Sequence, residues 1–228
     1  MRSLPFTAIV LGGLFSTTLA GAETMDFQFR IRPAPARTTL LTSPTAPRVP
    51  EMSSHDRERL WAGDTVSKPL RFRWKQGEYV GGVSYQKVRA LPHQVLRALE
   101  DVRRLPWVLP RTKTARLVAR RGKRSWVELT QGNAWVEATY TAQIVRVSAH
   151  EVRFWLDPTR AHDVDDVWGF FRVYPMGRLH SLVTVAVALD VGDGIVRMLF
   201  EDRIQSVILS ASRHIRDAVE THDRLAAR

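Results

Sequence analysis

Asp163-Val-Asp-Asp-Val-Trp-Gly-Phe-Phe-Arg-Val-Tyr-Pro175, then Leu182-Val-Thr-Val-Ala-Val-Ala-Leu189, then the turn Asp190-Val-Gly-Asp-Gly194 decide the fold of this chain. The first two are rich in Val, Phe and Trp and are bordered by Asp, Pro and Gly, the composition of strands bounded by turns. The turn opens an amphipathic pattern running to about Thr221. In it Phe200, Ile204, Ile208, Ala211, Ile215 and Ala218 recur at helical spacing. A helix of that length spans about 40 Å. Antiparallel strands closing onto one long helix make a curved sheet that grips the helix, with an apolar cavity expected between them.

Upstream, from Lys113 to Asp190, the hydrophobic period is two. Strands are expected at 114–120, 124–132, 134–147, 150–157, 165–175 and 180–190, with turn chemistry at Gly122, Gly132-Asn133, Ser148-Ala149 and Gly177. This is an antiparallel meander, which disfavours a parallel dinucleotide-binding sheet. An earlier strand is expected at 80–90, bent at Gly81-Gly82. Pro92 then starts a short helix whose apolar face is Val95, Leu96, Leu99 and Val102, ending at Leu105-Pro-Trp-Val-Leu-Pro110.

Three segments are expected. Residues 1–22 read as a cleaved signal peptide, with Arg2, the apolar run Thr7 to Phe15 and the small-x-small site Ala20-Gly21-Ala22. Residues 23–69 read as a linker, disordered or wrapping, broken by prolines including Pro33, Pro35, Pro44 and Pro47. A short helix is expected inside it around Ser54 to Trp61, capped by Ser53 or Ser54. Residues 70–228 form the domain. The expected location is periplasmic or secreted. The chain has no cysteine, which excludes thiol catalysis, cysteine zinc sites and iron–sulfur clusters.

The net charge is +11. Residues 23–69 carry seven basic and six acidic side chains, so the excess sits in the domain. An anionic membrane surface or acidic ligand would be attracted by it. Arg outnumbers Lys 29 to 5, however, a bias of GC-rich genomes that accounts for the charge equally well. No nucleic-acid motif accompanies it, and no nucleic-acid partner is expected.

The order of one strand, short helices, a six-strand meander and a long helix resembles the START-like superfamily, also called polyketide cyclase/Bet v 1-like, SRPBCC or helix-grip. The resemblance covers roughly residues 75–222. Asp165-Asp166-Val-Trp-Gly-Phe-Phe-Arg172 followed by Asp190-Val-Gly-Asp-Gly194 is similar to exported bacterial members without an assigned activity. It implies an α+β helix-grip fold: a curved antiparallel sheet of six to seven strands wrapped on a long C-terminal helix, with short helices after the first strand. It also implies a deep pocket for lipids, polyketides or sterols. The superfamily includes aromatase/cyclases, so the fold alone does not decide between binding and catalysis.

Strand alternation and helical spacing give the expected pocket lining. Val136, Ala138, Tyr140 and Phe154 face inward from the meander, joined by Phe171 and Val185 and by Phe200 and Ile204 of the helix. All are apolar contacts except Tyr140, whose phenol is a hydrogen-bonding handle unless the protein itself satisfies it. His162-Asp163-Val-Asp-Asp166 could serve a cation or a pocket mouth, but its spacing fits neither an EF-hand nor a zinc helix, and Asp is common in solvated turns. Arg172 alternates to the outer face and is expected in a salt bridge. Trp126 and Trp135 share that face, either exposed for a partner or covered by the segment carrying Trp61 and Trp74. Trp107, flanked by Pro106 and Pro110, lies where the resemblance implies that the pocket opens, and could gate entry.

No serine lies in a Gly-x-Ser-x-Gly elbow, and no phosphate loop is present. The expectation is therefore a monomeric, exported protein that binds a lipid or hydrophobic small molecule without chemistry, cofactor or metal. An aromatase/cyclase using Tyr140 with a loop His or Asp, and an envelope interaction module using the outer tryptophans, are the alternatives.

Overall fold

The computed structural model describes residues 52–134, 136–192 and 195–226. The signal segment 1–22, most of the segment 23–69 and Trp135 lie outside the described residues.

Helix α1 (Ser54–Ala62) leads into strands β1 (Val66–Trp74) and β2 (Gly77–Val88). Helix α2 (Pro92–Glu100), a 3-10 turn (Val102–Arg104) and α3 (Leu105–Val108) follow. The meander is β3 (Thr112–Arg121), β4 (Arg124–Gly132), β5 (Glu137–Arg146), β6 (Glu151–Leu156), β7 (Asp166–Pro175) and β8 (Ser181–Asp190). Helices α4 (Ile195–Leu209) and α5 (Ala211–Ala226) close the chain.

One antiparallel sheet of eight strands results, in the order β1-β2-β8-β7-β6-β5-β4-β3. The α2–α3 connection carries the chain from β2 to the opposite edge, and the meander returns strand by strand until β8 pairs with β2. The architecture is the expected α+β helix-grip arrangement, with three differences that have physical causes.

First, the sheet has eight strands, one of them begun inside the segment read as linker. Strand β1 carries Pro69, which donates no ladder hydrogen bond and is tolerated because β1 is an edge strand. Second, the short helices follow the second strand, since β1 precedes the one expected first. Third, the closing helix is two helices. At the junction the Ser210 hydroxyl donates to the Val207 carbonyl at 2.7 Å, a local bond that competes with the helical ladder and bends it.

Local chemistry explains the ends of the helices. Ser53 Oγ accepts from the Asp56 amide at 3.0 Å while Asp56 Oδ2 accepts from the Ser53 amide at 3.2 Å, a reciprocal cap on α1. Pro92 begins α2, and Gln94 Oε1 accepts from the Leu91 amide at 2.7 Å.

The inner face of the sheet meets α2 and α5. Val95, Leu96 and Leu99 of α2 and Ala211, Ile215 and Val219 of α5 bury against Val173, Val183 and Val185. Ile215 is fully buried, worth about 1.5–3 kcal/mol relative to exposure. Helix α4 lies against β1 and β2 instead. Its Gln205 Nε2 donates to the carbonyls of Gly81 at 2.9 Å and Leu70 at 3.2 Å. Gly82 has φ of +152°, and a Cβ there would sit 2.7 Å from Leu209, so the bent strand and the close helix both require glycine.

Over β1, β2, β7 and β8 the outer face is covered as well. Leu60 of α1 and Val66 of β1 cover Val83, Tyr85, Phe170 and Ala186. Next to them Tyr79 stacks on Phe72 with ring centres 5.1 Å apart, and Trp168 meets both edge-on. Helix α1 and strand β1 thus cover this part of the sheet, with the Trp74 ring 6.3 Å from that of Tyr79. Trp61 remains 59% exposed with the Lys87 ammonium near its ring, and the Arg124 guanidinium lies over Trp126 and Trp155.

Candidate functional site

Between the sheet and its helices lies an open cleft of about 1620 Å³. Its floor is Ala115 and Leu117 of β3, Val127 of β4 and Ile144 of β5. Its roof is Leu99, Val102, Leu105 and Val108 from α2 through α3, with Ala218 and Val219 of α5. Trp107 stands at the mouth, 72% exposed, on the short α3 helix where the sequence placed a gate. A large exposed indole beside an apolar cleft is a surface that water solvates poorly.

The cleft sits at the β3–β5 end for a packing reason. Helix α5 rests on β2 and β8, so the sheet beyond is roofed by α2 and α3 and only by the edge of α5 that carries Ala218 and Val219. The middle is filled: Phe154 and Phe171 pack with ring centres 5.2 Å apart. Gly169 makes that possible, because a Cβ there would lie 2.6 Å from the Phe154 ring.

The expected lining residues fall into three places, and none of the eight lines this cleft. Ala138, Tyr140 and Phe154 join a core patch with Leu105, Val127 and Val164, of which Leu105 and Val127 themselves line the cleft. Phe171 and Val185 are cross-strand partners in the core under α2 and α5. Phe200 and Ile204 are half-buried on α4, at the opposite end of the sheet, and Val136 is half-buried just before β5. The residues that do form the cleft read in the sequence as ordinary core positions of α2 and of the meander. The signal beside them is the density of arginine between Arg97 and Arg124, alternating with those same apolar positions.

Tyr140 is buried, and its hydroxyl donates to Gln131 Oε1 at 2.6 Å. Gln131 Nε2 donates in turn to Thr112 Oγ1 at 2.8 Å. Burial pushes the phenol well above its ordinary pKa, so it stays protonated and a donor.

The acidic segment 162–166 is stitched into the fold. The Asp163 amide donates to the Thr139 carbonyl at 2.9 Å, and Asp163 Oδ2 accepts from the Thr139 amide at 2.8 Å. His162 Nδ1 lies 2.7 Å from the Val164 carbonyl. Asp166 Oδ2 accepts from the Tyr79 hydroxyl at 2.7 Å on the outer face. Among the described residues, no group of three or more His, Asp or Glu is arranged to hold a metal ion. Arg172 faces outward as expected, donating from Nε to Glu151 Oε2 at 2.7 Å and lying over the Phe170 ring.

No protein-family model matches the chain, and no curated protein matches it in sequence. Solved structures do. TTHA0849 from Thermus thermophilus is similar with a TM-score of 0.55 and 17% identity, over 64% of this chain and 98% of that one. The STAR-related lipid transfer protein of Xanthomonas axonopodis gives 0.54 and 11%, over 67% and 98%. The ZhuI aromatase/cyclase of a Streptomyces species gives 0.53 and 13%, over 72% and 97%. The fold is therefore START-like, of the helix-grip type that these lipid-transfer and cyclase proteins share. Identities this low establish the fold and leave the activity to the site.

Proposed function

We propose that this protein binds a lipid or other hydrophobic small molecule in the β3–β5 cleft, as a carrier or receptor without covalent chemistry. The observation that carries this reading is the cleft itself, about 1620 Å³ with a floor and roof of aliphatic side chains. A volume of that order exceeds a typical small-molecule site and suits an alkyl chain or a fused-ring guest. Burying such a guest removes apolar surface from water at about 25 cal/mol per Å² on each side. The lipid-transfer name of one structural neighbour supports the same class of guest. Of the eight residues expected from the sequence, Tyr140, Ala138 and Phe154 pack in one cluster with the lining residues Leu105 and Val127 and set how far a guest can penetrate. The signal-like residues 1–22 support an exported location.

Native mass spectrometry of protein purified without detergent tests the reading. A co-purified hydrophobic molecule is expected, together with saturable fluorescence of the neutral probe N-phenyl-1-naphthylamine. The variant Ala218→Trp places an indole into the cleft from α5 and should abolish both. A bare mass with no probe binding, or probe binding indifferent to Ala218→Trp, would overturn the proposal.

A further inference from the structure

The cleft has an apolar interior and a cationic edge, and the edge is only partly neutralised. Four of the cations around it are held by carboxylates, among them Arg146 by Glu100 at 2.8 Å, and Arg103 and Arg104 by Asp101 at 3.4 and 3.6 Å. Arg116 is engaged by Glu128, from Nε at 3.0 Å and Nη2 at 2.9 Å. Arg97 on α2 and Arg120 and Lys123 on the β3–β4 hairpin also line the cleft. Arg120 Nε donates to Ser125 Oγ at 3.1 Å, and among the described residues none of these three meets a carboxylate. The remaining cleft acid, Asp217, is taken by Arg216 at 3.1 Å.

This arrangement selects on two properties at once. The aliphatic floor and roof accept a hydrocarbon but offer nothing to a charged group. The free cations stand where the two edges of the cleft meet solvent, one contributed by the helical roof and two by the sheet hairpin. An anionic head group there meets cations that no carboxylate among the described residues already holds. A neutral guest leaves that excess field uncompensated. Resting on the reading above, we propose that the guest is an anionic amphiphile: a hydrocarbon tail in the cleft and a carboxylate or phosphate head bound by Arg97, Arg120 and Lys123. Guanidinium groups suit such heads because they present paired donors to carboxylate and phosphate oxygens.

The excess positive charge of the domain, which arginine-rich composition alone accounts for in bulk, thereby acquires a local role. Composition sets how many arginines the chain carries; it does not set that three unpaired cations gather on one apolar cleft.

Displacement of bound N-phenyl-1-naphthylamine from the full chain at low salt separates the possibilities, since the probe itself is uncharged. Oleate and dodecyl phosphate are expected to displace it at concentrations at least about tenfold below oleyl alcohol, a difference near 1.4 kcal/mol. Comparing the two anions tells a carboxylate head from a phosphate head. Inorganic phosphate alone is expected to leave the probe in place, because the tail supplies the seat. The triple variant Arg97→Gln/Arg120→Gln/Lys123→Gln, at three exposed positions, should retain the probe and oleyl alcohol while losing the advantage of the anions. Raising the salt should shrink that advantage in the native protein as well.

Equal displacement by oleate and oleyl alcohol, or an advantage that survives the triple variant, would overturn the head-group assignment while leaving the cleft reading intact. Displacement by inorganic phosphate as efficient as by oleate would overturn the amphiphile. Absence of any probe binding would remove the cleft reading and this one together.

Discussion

The hydroxyl of Tyr140 and the side-chain carbonyl of Gln131 lie 2.6 Å apart, and Gln131 passes the contact on to Thr112. The phenol expected to greet a guest is occupied by a neighbouring strand. The chain of bonds ties β5 through β4 to the start of β3. Tyr140→Phe removes the donor and leaves the Gln131 carbonyl to seek another. The expected outcome is a loss of about 1 kcal/mol in unfolding free energy, with affinity for a neutral cleft probe within about twofold of native. Urea denaturation and probe titration on the same preparation check it. A large loss of affinity without loss of stability would show instead that the phenol serves the guest.

Phe154 is the stopper between the cleft and the deeper core. It packs on Phe171 and lies over Gly169, which has no side chain to push it outward. Phe154→Ala should open the floor toward Phe171 and Val185. The cost in stability is expected at about 3–5 kcal/mol, less if a guest refills the space. The check is a pair of measurements: thermal unfolding with and without a saturating ligand, and the size of the molecule co-purified by native mass. Longer or bulkier guests are expected in the variant. Gly169→Ala acts in the opposite sense, driving a methyl into the Phe154 ring and the Ala186 carbonyl. An overpacking loss of about 1–3 kcal/mol or more is expected from it.

The element order was legible because it rests on period and punctuation. Six of the strands expected from alternation match β3 to β8 within a few residues, since each is bounded by Gly, Asn, Asp or Ser with defined turn chemistry. Strand β1 escaped although Val66, Leu70 and Phe72 alternate with Ser67, Pro69, Arg71 and Arg73, because Pro69 continues the proline-broken run read as linker; its pairing with β2 makes it a strand. The break at Ser210 escaped because a serine in mid-helix is ordinary until its hydroxyl is seen to bond Val207. The site was less legible than the fold. Alternation tells which side chains face inward; it cannot tell where the inward side is filled and where it is hollow. That depends on α5 resting on β2 and β8, and on Phe154 finding room over Gly169, both long-range outcomes.

Glu151 ties the β6–β7 ladder on the outer face, accepting from Arg153 Nε at 2.5 Å and Arg172 Nε at 2.7 Å. Burial alone would raise its pKa, but the hydrogen bonds and charges of Arg172 and Arg153 outweigh burial and hold it below the ordinary glutamate value. The sign follows. A carboxyl depressed in the folded state adds stability that is fully present above its unfolded value, about 4.3, and that is lost as pH falls through the folded value. Glu151→Gln should therefore destabilise the protein at neutral pH by about 1.5–3 kcal/mol, the range for hydrogen bonds to charged groups. Below about pH 4 the difference from native should narrow. Urea midpoints measured across that range check both the size and the slope.

Asp166 presents the opposite sign. Burial raises its pKa, and the 2.7 Å bond from Tyr79, helped by the Val167 amide, only partly offsets burial. Tyr79 is itself pushed above its ordinary range by burial and by Asp166, so it remains a donor throughout the accessible pH range. A carboxyl raised in the folded state costs stability as pH climbs from its unfolded value through its folded one. Tyr79→Phe withdraws the donor that favours the ionised form, so the Asp166 pKa should climb further. The penalty should grow with pH, from about 1 kcal/mol where Asp166 is protonated to about 2–3 kcal/mol at neutral pH. Asp166→Asn keeps an acceptor for the phenol while removing the buried charge, and should match or exceed native stability at pH 7. Stability curves of the native protein and both variants from acid to neutral pH decide the matter. A pH-independent penalty for Tyr79→Phe would mean that Asp166 is not ionised in the folded protein.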